Sequence, residues 1–190
     1  MITRSILTDA EKVLKEIEVK SLKGFLPIIG PVKGKYLTDA VLKYKVKKVL
    51  EVGTLVAYSA ILIASTLPED GQIITLEINP RSAEMAKNNI RKANLTDKIN
   101  ILVGDALDLI PEINQEFDMV FLDAAKSEYF DYLKLCEPRL KKNGVVVSDN
   151  VKIFADQMQD FLDYLRNSGK YDSQYFDVGF DGVEVSVKLF

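Results

Sequence analysis

The chain has 190 residues, of which 47% are hydrophobic, and its 25 basic and 28 acidic side chains give a net charge of −3. This length and apolar content suit a single domain with a substantial core, and the lack of a basic excess argues against a general nucleic-acid binder. There is no histidine and one cysteine, Cys136, so Ser-His-Asp catalysis, Cys-His catalysis and an internal disulfide are excluded, and a zinc site is disfavoured.

The N-terminal part of the sequence predicts one helix and a connector. Thr8 and Glu11 have the spacing of a helix capping box, and we expect the helix that they begin to lie near the substrate side of the domain. Residues 23–35 are punctuated by glycine and proline, which predicts a connector into a second helix. The sequence shows no apolar stretch of signal-peptide or membrane-span length, so we expect a cytoplasmic protein that does not enter a membrane.

From residue 47 onward, apolar runs of strand length alternate with segments of helical periodicity, which is typical of a parallel sheet covered on both faces. The five runs are residues 47–53, 72–78, 99–104, 117–123 and 144–150. Asn79 and Pro80 predict the start of a helix after the second run. Apolar residues from Phe130 to Leu140 predict another helix after the fourth run, with a bend at Pro138, and Phe154 to Leu165 predict a third after the fifth.

The last twenty residues have a different pattern. Residues 171–179 and 181–190 are two β-rich segments separated by a short turn, which predicts an antiparallel hairpin. The fold class that we predict is therefore α/β, with a doubly wound seven-stranded sheet that is mostly parallel and ends in a C-terminal antiparallel hairpin.

Each predicted parallel strand ends in polar residues or glycine, and ligands of open α/β sheets bind beyond these ends. The residues concerned are Glu51 and Gly53, Glu77, Gly104 and Asp105, Asp123, and finally Ser148, Asp149 and Asn150. A glycine after the first strand and an acid at the end of the second favour a ligand that contains adenosine. A dinucleotide fits poorly, because Leu55 and Tyr58 stand where the second and third glycines of that fingerprint should be.

Taken together, E-V-G-T-x-x-x-Y-S at 51–59, the acid Glu77, G-D-A at 104–106, F-L-D-A-A-K at 121–126 and S-D-N at 148–150 resemble the cation-dependent O-methyltransferases. These S-adenosylmethionine enzymes include the catechol and caffeoyl-coenzyme A O-methyltransferases. The resemblance runs from about Gly30 to the C-terminus. It implies one methyltransferase domain over 1–190, with the N-terminal helix and connector in 1–35 and a Rossmann-like core in 36–190.

The resemblance also implies roles for individual residues. Those expected around S-adenosylmethionine are Ile29, Glu51, Gly53, Tyr58, Ser59, Glu77, Gly104, Asp105, Ala106 and Asp123, with the methionine part near Gly53, the ribose at Glu77 and the adenine at Asp105 and Ala106. The implied metal ligands are Asp123, Asp149 and Asn150, and the implied catalytic residues are Lys126, Asp123 and Asn150. Such oxygen ligands suit Mg²⁺ best, with Mn²⁺ or Ca²⁺ as alternatives. Without histidine, Lys126 is the leading candidate for the base.

The chain also departs from the family pattern. Ala57 replaces a glycine, which costs roughly 1 kcal/mol if that position needs a positive φ. Ala124 and Ala125 are small where relatives are bulkier, and the segment after Asn150 is short. We therefore expect a pocket that is either open or completed by the N-terminal helix or a second subunit, and we expect a homodimer.

The leading hypothesis is a metal-dependent O-methyltransferase for a small hydroxylated substrate of catechol type, with no nucleic-acid or membrane partner. A methyltransferase for RNA or protein on the same fold is an alternative, as is a non-catalytic protein that binds S-adenosylmethionine.

Overall fold

The structure is a computed structural model, and it describes residues 7–24 and 26–190. Residues 1–6 and Phe25, which belongs to the predicted connector, lie outside the described residues. Among the helices that are described, none combines the length and the apolar content needed to cross a membrane.

The centre of the fold is a seven-stranded sheet with the order β3-β2-β1-β4-β5-β7-β6. Its strands are β1 Lys48–Val52, β2 Gln72–Glu77, β3 Ile99–Val103, β4 Phe117–Leu122, β5 Leu140–Ser148, β6 Tyr171–Asp177 and β7 Gly182–Lys188. The first five strands pair in parallel, whereas β7 pairs antiparallel with both β5 and β6. The predicted fold class is confirmed, including the antiparallel hairpin at the end.

Seven helices accompany the sheet in the described part of the chain. They are α1 Asp9–Lys23, α2 Gly30–Lys43, α3 Tyr58–Thr66, α4 Pro80–Lys92, α5 Ala106–Glu112, α6 Tyr129–Cys136 and α7 Gln159–Asn167. Single 3₁₀ turns at Lys126–Glu128 and Ala155–Gln157 precede α6 and α7. The capping box of α1 is present, because Thr8 Oγ1 accepts from Glu11 N and Thr8 N donates to Glu11 Oε2.

Two apolar cores lie on opposite faces of the sheet. Helices α1 to α4 bury one core, and α5 to α7 bury the other. Alternating residues of the central strands serve both, since Met119 and Phe121 belong to the first core and Val120 and Leu122 to the second. This alternation explains why Met119 to Leu122 of β4 are all apolar and why Asp123 is the first polar side chain after them.

The structure corrects two details of the sequence interpretation. Leu140 is the first residue of β5 and not part of a helix, and the preceding helix ends at Cys136, two residues before Pro138. Glu137 still has helical geometry and donates to Leu133 O at 2.8 Å, but Pro138 has no N–H to continue the helical hydrogen bonds, so the helix ends there instead of bending. Helix α2 begins at Gly30, inside the segment interpreted as connector.

Candidate functional site

The carboxyl ends of the parallel strands border a cavity of about 650 Å³. Almost every residue that the sequence analysis selected lines it: Ile29, Gly53, Tyr58, Ser59, Glu77, Gly104, Asp105, Ala106, Asp123, Lys126, Asp149 and Asn150. The wall is completed by apolar residues that the sequence analysis did not select, among them Ile28, Ile153 and Phe154. Residues from five strand ends and from the connector therefore meet in one place.

The loop after β1 is shaped by a close approach between two backbones. Gly53 has φ 105°, and a Cβ atom on it would lie 2.2 Å from the carbonyl oxygen of Asp123. The glycine is thus needed for contact with the end of β4. Ala57, at the start of α3, has φ 64°, so the alanine occupies the left-handed region that glycine prefers.

Glu77 connects this loop to the start of α4. Its Oε2 accepts a hydrogen bond from Leu55 N at 2.6 Å, and its Oε1 accepts one from Asn79 N at 2.9 Å. A carboxylate has about four acceptor positions, so both oxygens can still accept from ligand hydroxyls. The side chain is only 8% exposed and lines the cavity, which leaves the ligand side as its open direction.

Two other predicted site residues lie at the N-terminal ends of helices, where hydrogen bonds fix their side chains. Tyr58 donates its hydroxyl to Glu18 Oε1 at 2.7 Å, which connects the cavity wall to α1. Asp105 is the N-cap of α5 and accepts from Leu107 N at 2.9 Å, while its side chain remains exposed at the mouth of the cavity. Helix α1 packs against α3, and through Glu18 it supports the wall near the predicted methionine position.

Glu51 is the predicted site residue that does not line the cavity. It is fully buried behind the wall, where it accepts hydrogen bonds from Ser59 Oγ and Thr75 Oγ1. Burial raises the pKa of Glu51 from 4.5 to about 8, although the two hydroxyl groups oppose the rise. The structure therefore places Glu51 as a support for Ser59, one layer away from the ligand space.

The raised pKa of Glu51 predicts how the stability of the folded protein depends on pH. The folded protein holds the Glu51 proton more tightly than the unfolded chain does, so its contribution to stability is complete below about pH 4.5 and is lost as the pH rises to about 8. The expected slope is about 1.4 kcal/mol per pH unit within that window. Urea unfolding across this range should show this contribution, and Glu51→Gln should lower the slope by about the same amount, with the contribution of Asp149 remaining. The exposed Glu69→Gln is the control and should leave the slope unchanged.

A second group of residues joins the ends of β4 and β5. Lys126 Nζ donates to Asp123 Oδ1 and to Tyr129 Oη, both at 2.8 Å. The Tyr129 hydroxyl is fully buried and donates to Leu122 O at 2.9 Å, with Asp149 O at 3.3 Å. Tyr129 thus fixes the position of Lys126 and bridges the two strand ends.

The remaining charged residues form what we call the Lys33 cluster, which consists of Lys33, Asp149, Asn150 and Asp181. Lys33 Nζ donates to Asp149 Oδ2 at 2.8 Å and to Asp181 Oδ2 at 2.6 Å. Asp181 Oδ2 also accepts from Asn150 Nδ2 at 2.7 Å. The cluster therefore joins α2, the end of β5 and the turn of the C-terminal hairpin.

Burial and charge act in opposite directions within the cluster. Burial raises the pKa of Asp149 to about 7, the charge of Asp123 adds to the rise, and Lys33 opposes it. Burial alone would lower the pKa of Lys33, but Asp149 and Asp181 outweigh it and raise that pKa above its usual value. Asp149 is thus a carboxylate with too little positive charge around it, despite its lysine neighbour.

The residues present fit an oxygen-coordinated cation. Asp149 Oδ1 is buried and receives no hydrogen bond of normal geometry from the described residues, although Lys33 Nζ lies 2.6 Å away. Asn150 uses its amide nitrogen toward Asp181, which leaves its amide oxygen to act as a ligand. No three carboxylate or thiol side chains gather into a ligand set within residues 7–24 and 26–190, so the candidate set is the two carboxylates of Asp123 and Asp149 with the Asn150 amide.

Three residues of this site were not among those predicted from the sequence: Lys33, Tyr129 and Asp181. Tyr129 follows Lys126 by one helical turn, and this spacing was a signal that could have identified it. Lys33 and Asp181 had no such signal, because they lie 148 residues apart in the chain and meet only when the hairpin joins the sheet.

Comparison with known proteins identifies one family over most of the chain. The O-methyltransferase family model matches residues 4–163. A catechol O-methyltransferase of Niastella koreensis is 38% identical over 127 residues, which cover 65% of this chain and 58% of that protein. Catechol O-methyltransferase B of Danio rerio is 38% identical over 174 residues, or 85% of this chain and 65% of that protein. The chain thus spans about 58% to 65% of the length of these curated relatives.

Solved structures extend the likeness to the whole fold. An O-methyltransferase from Bacillus cereus, crystallised in complex with SAH, aligns with a TM-score of 0.83 at 25% identity, over 98% of this chain and 93% of that one. The matched family region contains every strand end from β1 to β5 and therefore all the predicted site residues. This chain belongs to the O-methyltransferase family.

Proposed function

We propose that this protein transfers the methyl group of S-adenosylmethionine to a hydroxyl of a small substrate of catechol type, with a divalent cation, Mg²⁺ in the first place and Mn²⁺ or Ca²⁺ as alternatives. The observation that carries the proposal is that Gly53 and Glu77, the oxygen donors of Asp123, Asp149 and Asn150, and Lys126 all line one cavity. The catechol O-methyltransferases of Niastella koreensis and Danio rerio are relatives of this chain, which supports a diol substrate.

The methyl donor would occupy the side of the cavity formed by the ends of β1, β2 and β3. Glu77 is the acceptor for the ribose hydroxyls, and Gly104, Asp105 and Ala106 lie where the adenine is expected. S-adenosylmethionine supplies a methyl group bonded to a positively charged sulfur, so the protein needs mainly to orient the partners and to prepare the nucleophile.

Asp123, Asp149 and Asn150 would hold the cation. A cation bound there would act as a Lewis acid and would lower the pKa of a substrate hydroxyl, as such metals do with bound water. Two adjacent hydroxyls suit such a site because both oxygens can reach the same ion. This is the chemical reason for preferring a catechol to a simple phenol.

Lys126 is the residue that we assign to accept the hydroxyl proton, which it would do as a neutral amine after its ammonium group has released a proton to solvent. Its Nζ lies 2.8 Å from Asp123 Oδ1, so the proton acceptor and the ligand set are in direct contact. Tyr129 holds Nζ from the other side and keeps it at the cavity wall. The substrate oxygen then bonds to the methyl carbon as the carbon–sulfur bond breaks, and a methyl ether and S-adenosylhomocysteine are released.

The cavity wall beside Lys126 is thin, since Ala125 is exposed and Ala124 is partly exposed. We propose that a second copy of the chain helps to close it, in a homodimer located in the cytoplasm. A second subunit would supply the cover that the short segment after Asn150 does not provide.

The proposal is tested by a methylation assay in the presence of a chelator. Protein freed of metal should convert a catechol to its methyl ether only after Mg²⁺ or Mn²⁺ is added, with a loss on the order of a hundredfold or more in excess EDTA. Product and S-adenosylhomocysteine are measured by mass spectrometry, and a monohydroxy phenol serves as the control substrate.

Other outcomes would favour the alternatives. Unchanged turnover in EDTA would rule out the role of the cation. Tight binding of S-adenosylmethionine in calorimetry, without methylation of any diol, would favour a non-catalytic protein or an RNA or protein substrate.

A further inference from the structure

Lys33 is an unusual neighbour for a cation site. Its ammonium lies 2.6 Å from Asp149 Oδ1 and donates to Oδ2 at 2.8 Å, so it faces both oxygens of a candidate ligand. The side chain is only 15% exposed, and solvent therefore screens its charge weakly. No part of the proposed reaction uses Lys33.

Lys33 is also connected to the second candidate ligand, through Asp181. Asp181 Oδ2 accepts from both Lys33 Nζ and Asn150 Nδ2, and its Oδ1 is 3.4 Å from Ile153 N. Asp181 therefore fixes the amide plane of Asn150 and holds the ammonium near Asp149. If the ammonium moved away from Asp149, Asp181 would therefore remain as its partner.

The charges of the cluster explain why a lysine is needed. Asp149 and Asp181 place two negative charges together at a site from which water is largely excluded, and Lys126 already pairs with Asp123. A buried carboxylate without a partner is strongly unfavourable. The ammonium therefore supplies in the protein alone the positive charge that a divalent ion would supply in the loaded site.

We propose that Lys33 is a built-in counter-ion that competes with the divalent cation for Asp149 and thereby sets a moderate cation affinity. The inference rests on the proposed function, because it assumes that the cation binds at Asp123, Asp149 and Asn150. An ion that takes an oxygen of Asp149 must displace the ammonium toward Asp181, and two positive charges then remain close together in a poorly screened site. Cation affinity follows the net charge of the ligand set, so Lys33 weakens binding.

The test is a titration of the metal-free protein with Mn²⁺, in which electron paramagnetic resonance measures the free ion in a mildly alkaline buffer. Lys33→Met keeps the length of the side chain and removes its charge, so it should bind Mn²⁺ on the order of tenfold more tightly. Lys35→Met is the matched control. It makes the same change on the same helix, at an exposed residue paired with Asp39, and should bind Mn²⁺ as the unmodified protein does.

A second variant, at Asp181, is expected to change the affinity for Mn²⁺ in the opposite direction. Asp181→Asn removes the alternative partner of the ammonium and leaves Lys33 fully on Asp149, so Mn²⁺ binding should weaken on the order of tenfold. Circular dichroism and thermal unfolding verify that each variant is folded. If Lys33→Met does not fold, Lys33→Gln replaces it with the same expectation, and failure of both to fold would overturn the inference in favour of a purely structural lysine.

The inference and the proposed function fail in different ways. If the unmodified protein binds Mn²⁺ and the folded Lys33 variant binds it equally or more weakly, the counter-ion role is wrong while the cation site stands. If neither binds Mn²⁺, the cation site itself is wrong, and the inference is wrong with it.

Discussion

Replacement of Asp149 by alanine is expected to reduce methyl transfer on the order of a thousandfold, because the activation that a Lewis-acid cation provides is worth several kcal/mol. Asp149 is 1% exposed, and its Oδ1 lacks a hydrogen bond of normal geometry within the described chain. Binding of S-adenosylmethionine should change little, because the predicted ribose and adenine contacts lie at other strand ends. Turnover of a catechol and calorimetry with S-adenosylmethionine measure the two effects separately.

Two further variants test whether the loss of activity comes specifically from the charge of Asp149. Asp149→Asn keeps the shape of the side chain but removes a charge, and it should lose most of the activity with little loss of folded stability. Asp70→Asn removes an exposed acid that pairs with Lys47 at the opposite edge of the sheet, and it should remain fully active. Retention of activity in both Asp149 variants would contradict the ligand role.

The second large effect is expected for Gly53→Ala, which should destabilise the protein by about 3 kcal/mol or more, from overpacking combined with backbone strain. The new Cβ would lie 2.2 Å from the carbonyl oxygen of Asp123 and 2.8 Å from its carbonyl carbon. Both atoms belong to backbone, so the contact is relieved only by separating the loop from the end of β4. Urea unfolding measures the loss, and weaker binding of S-adenosylmethionine should accompany it.

The control for this prediction separates contact from conformation. Gly169 also has a positive φ, 71°, but a Cβ there would have nothing within 4 Å. Gly169→Ala should therefore cost only the strain of the left-handed conformation, about 1 kcal/mol. Equal losses at the two positions would show that the approach to Asp123 has no energetic importance.

The fold could be predicted from the sequence wherever a local pattern of residues determines the structure. The apolar runs identified the parallel strands, and Asn79 with Pro80 located the start of α4, where the Asn79 side chain accepts from Arg81 N. The error at Leu140 has a physical cause. An apolar residue at helical spacing from Leu133 and Cys136 fits a helix equally well, and only the proline between them indicated the break.

For the site, the sequence was sufficient for residues at strand ends and insufficient for residues that reach the site from elsewhere. The topology of a parallel sheet brings Glu77, Asp105, Asp123 and Asp149 to one edge whatever the loops do. Lys33 comes from a helix on one face and Asp181 from a turn in an antiparallel hairpin, so their meeting depends on three-dimensional packing. Ala57 has a positive φ, which is the condition under which an alanine there is expected to cost stability. The sequence alone did not distinguish a glycine needed for a positive φ from a glycine needed for close approach of the ligand.

The position of β7 in the sheet has a consequence for the order in which the protein acquires its site. β7 lies between β5 and β6, and the turn that precedes it carries Asp181 to Asn150 and Lys33. During synthesis, residues 178–188 leave the ribosome after residues 48–148, which contain β1 to β5. Until they pair with β5, Asn150 has no anchor and Lys33 has only Asp149. The residues predicted to surround the methyl donor are therefore synthesised before the residue that completes the Lys33 cluster.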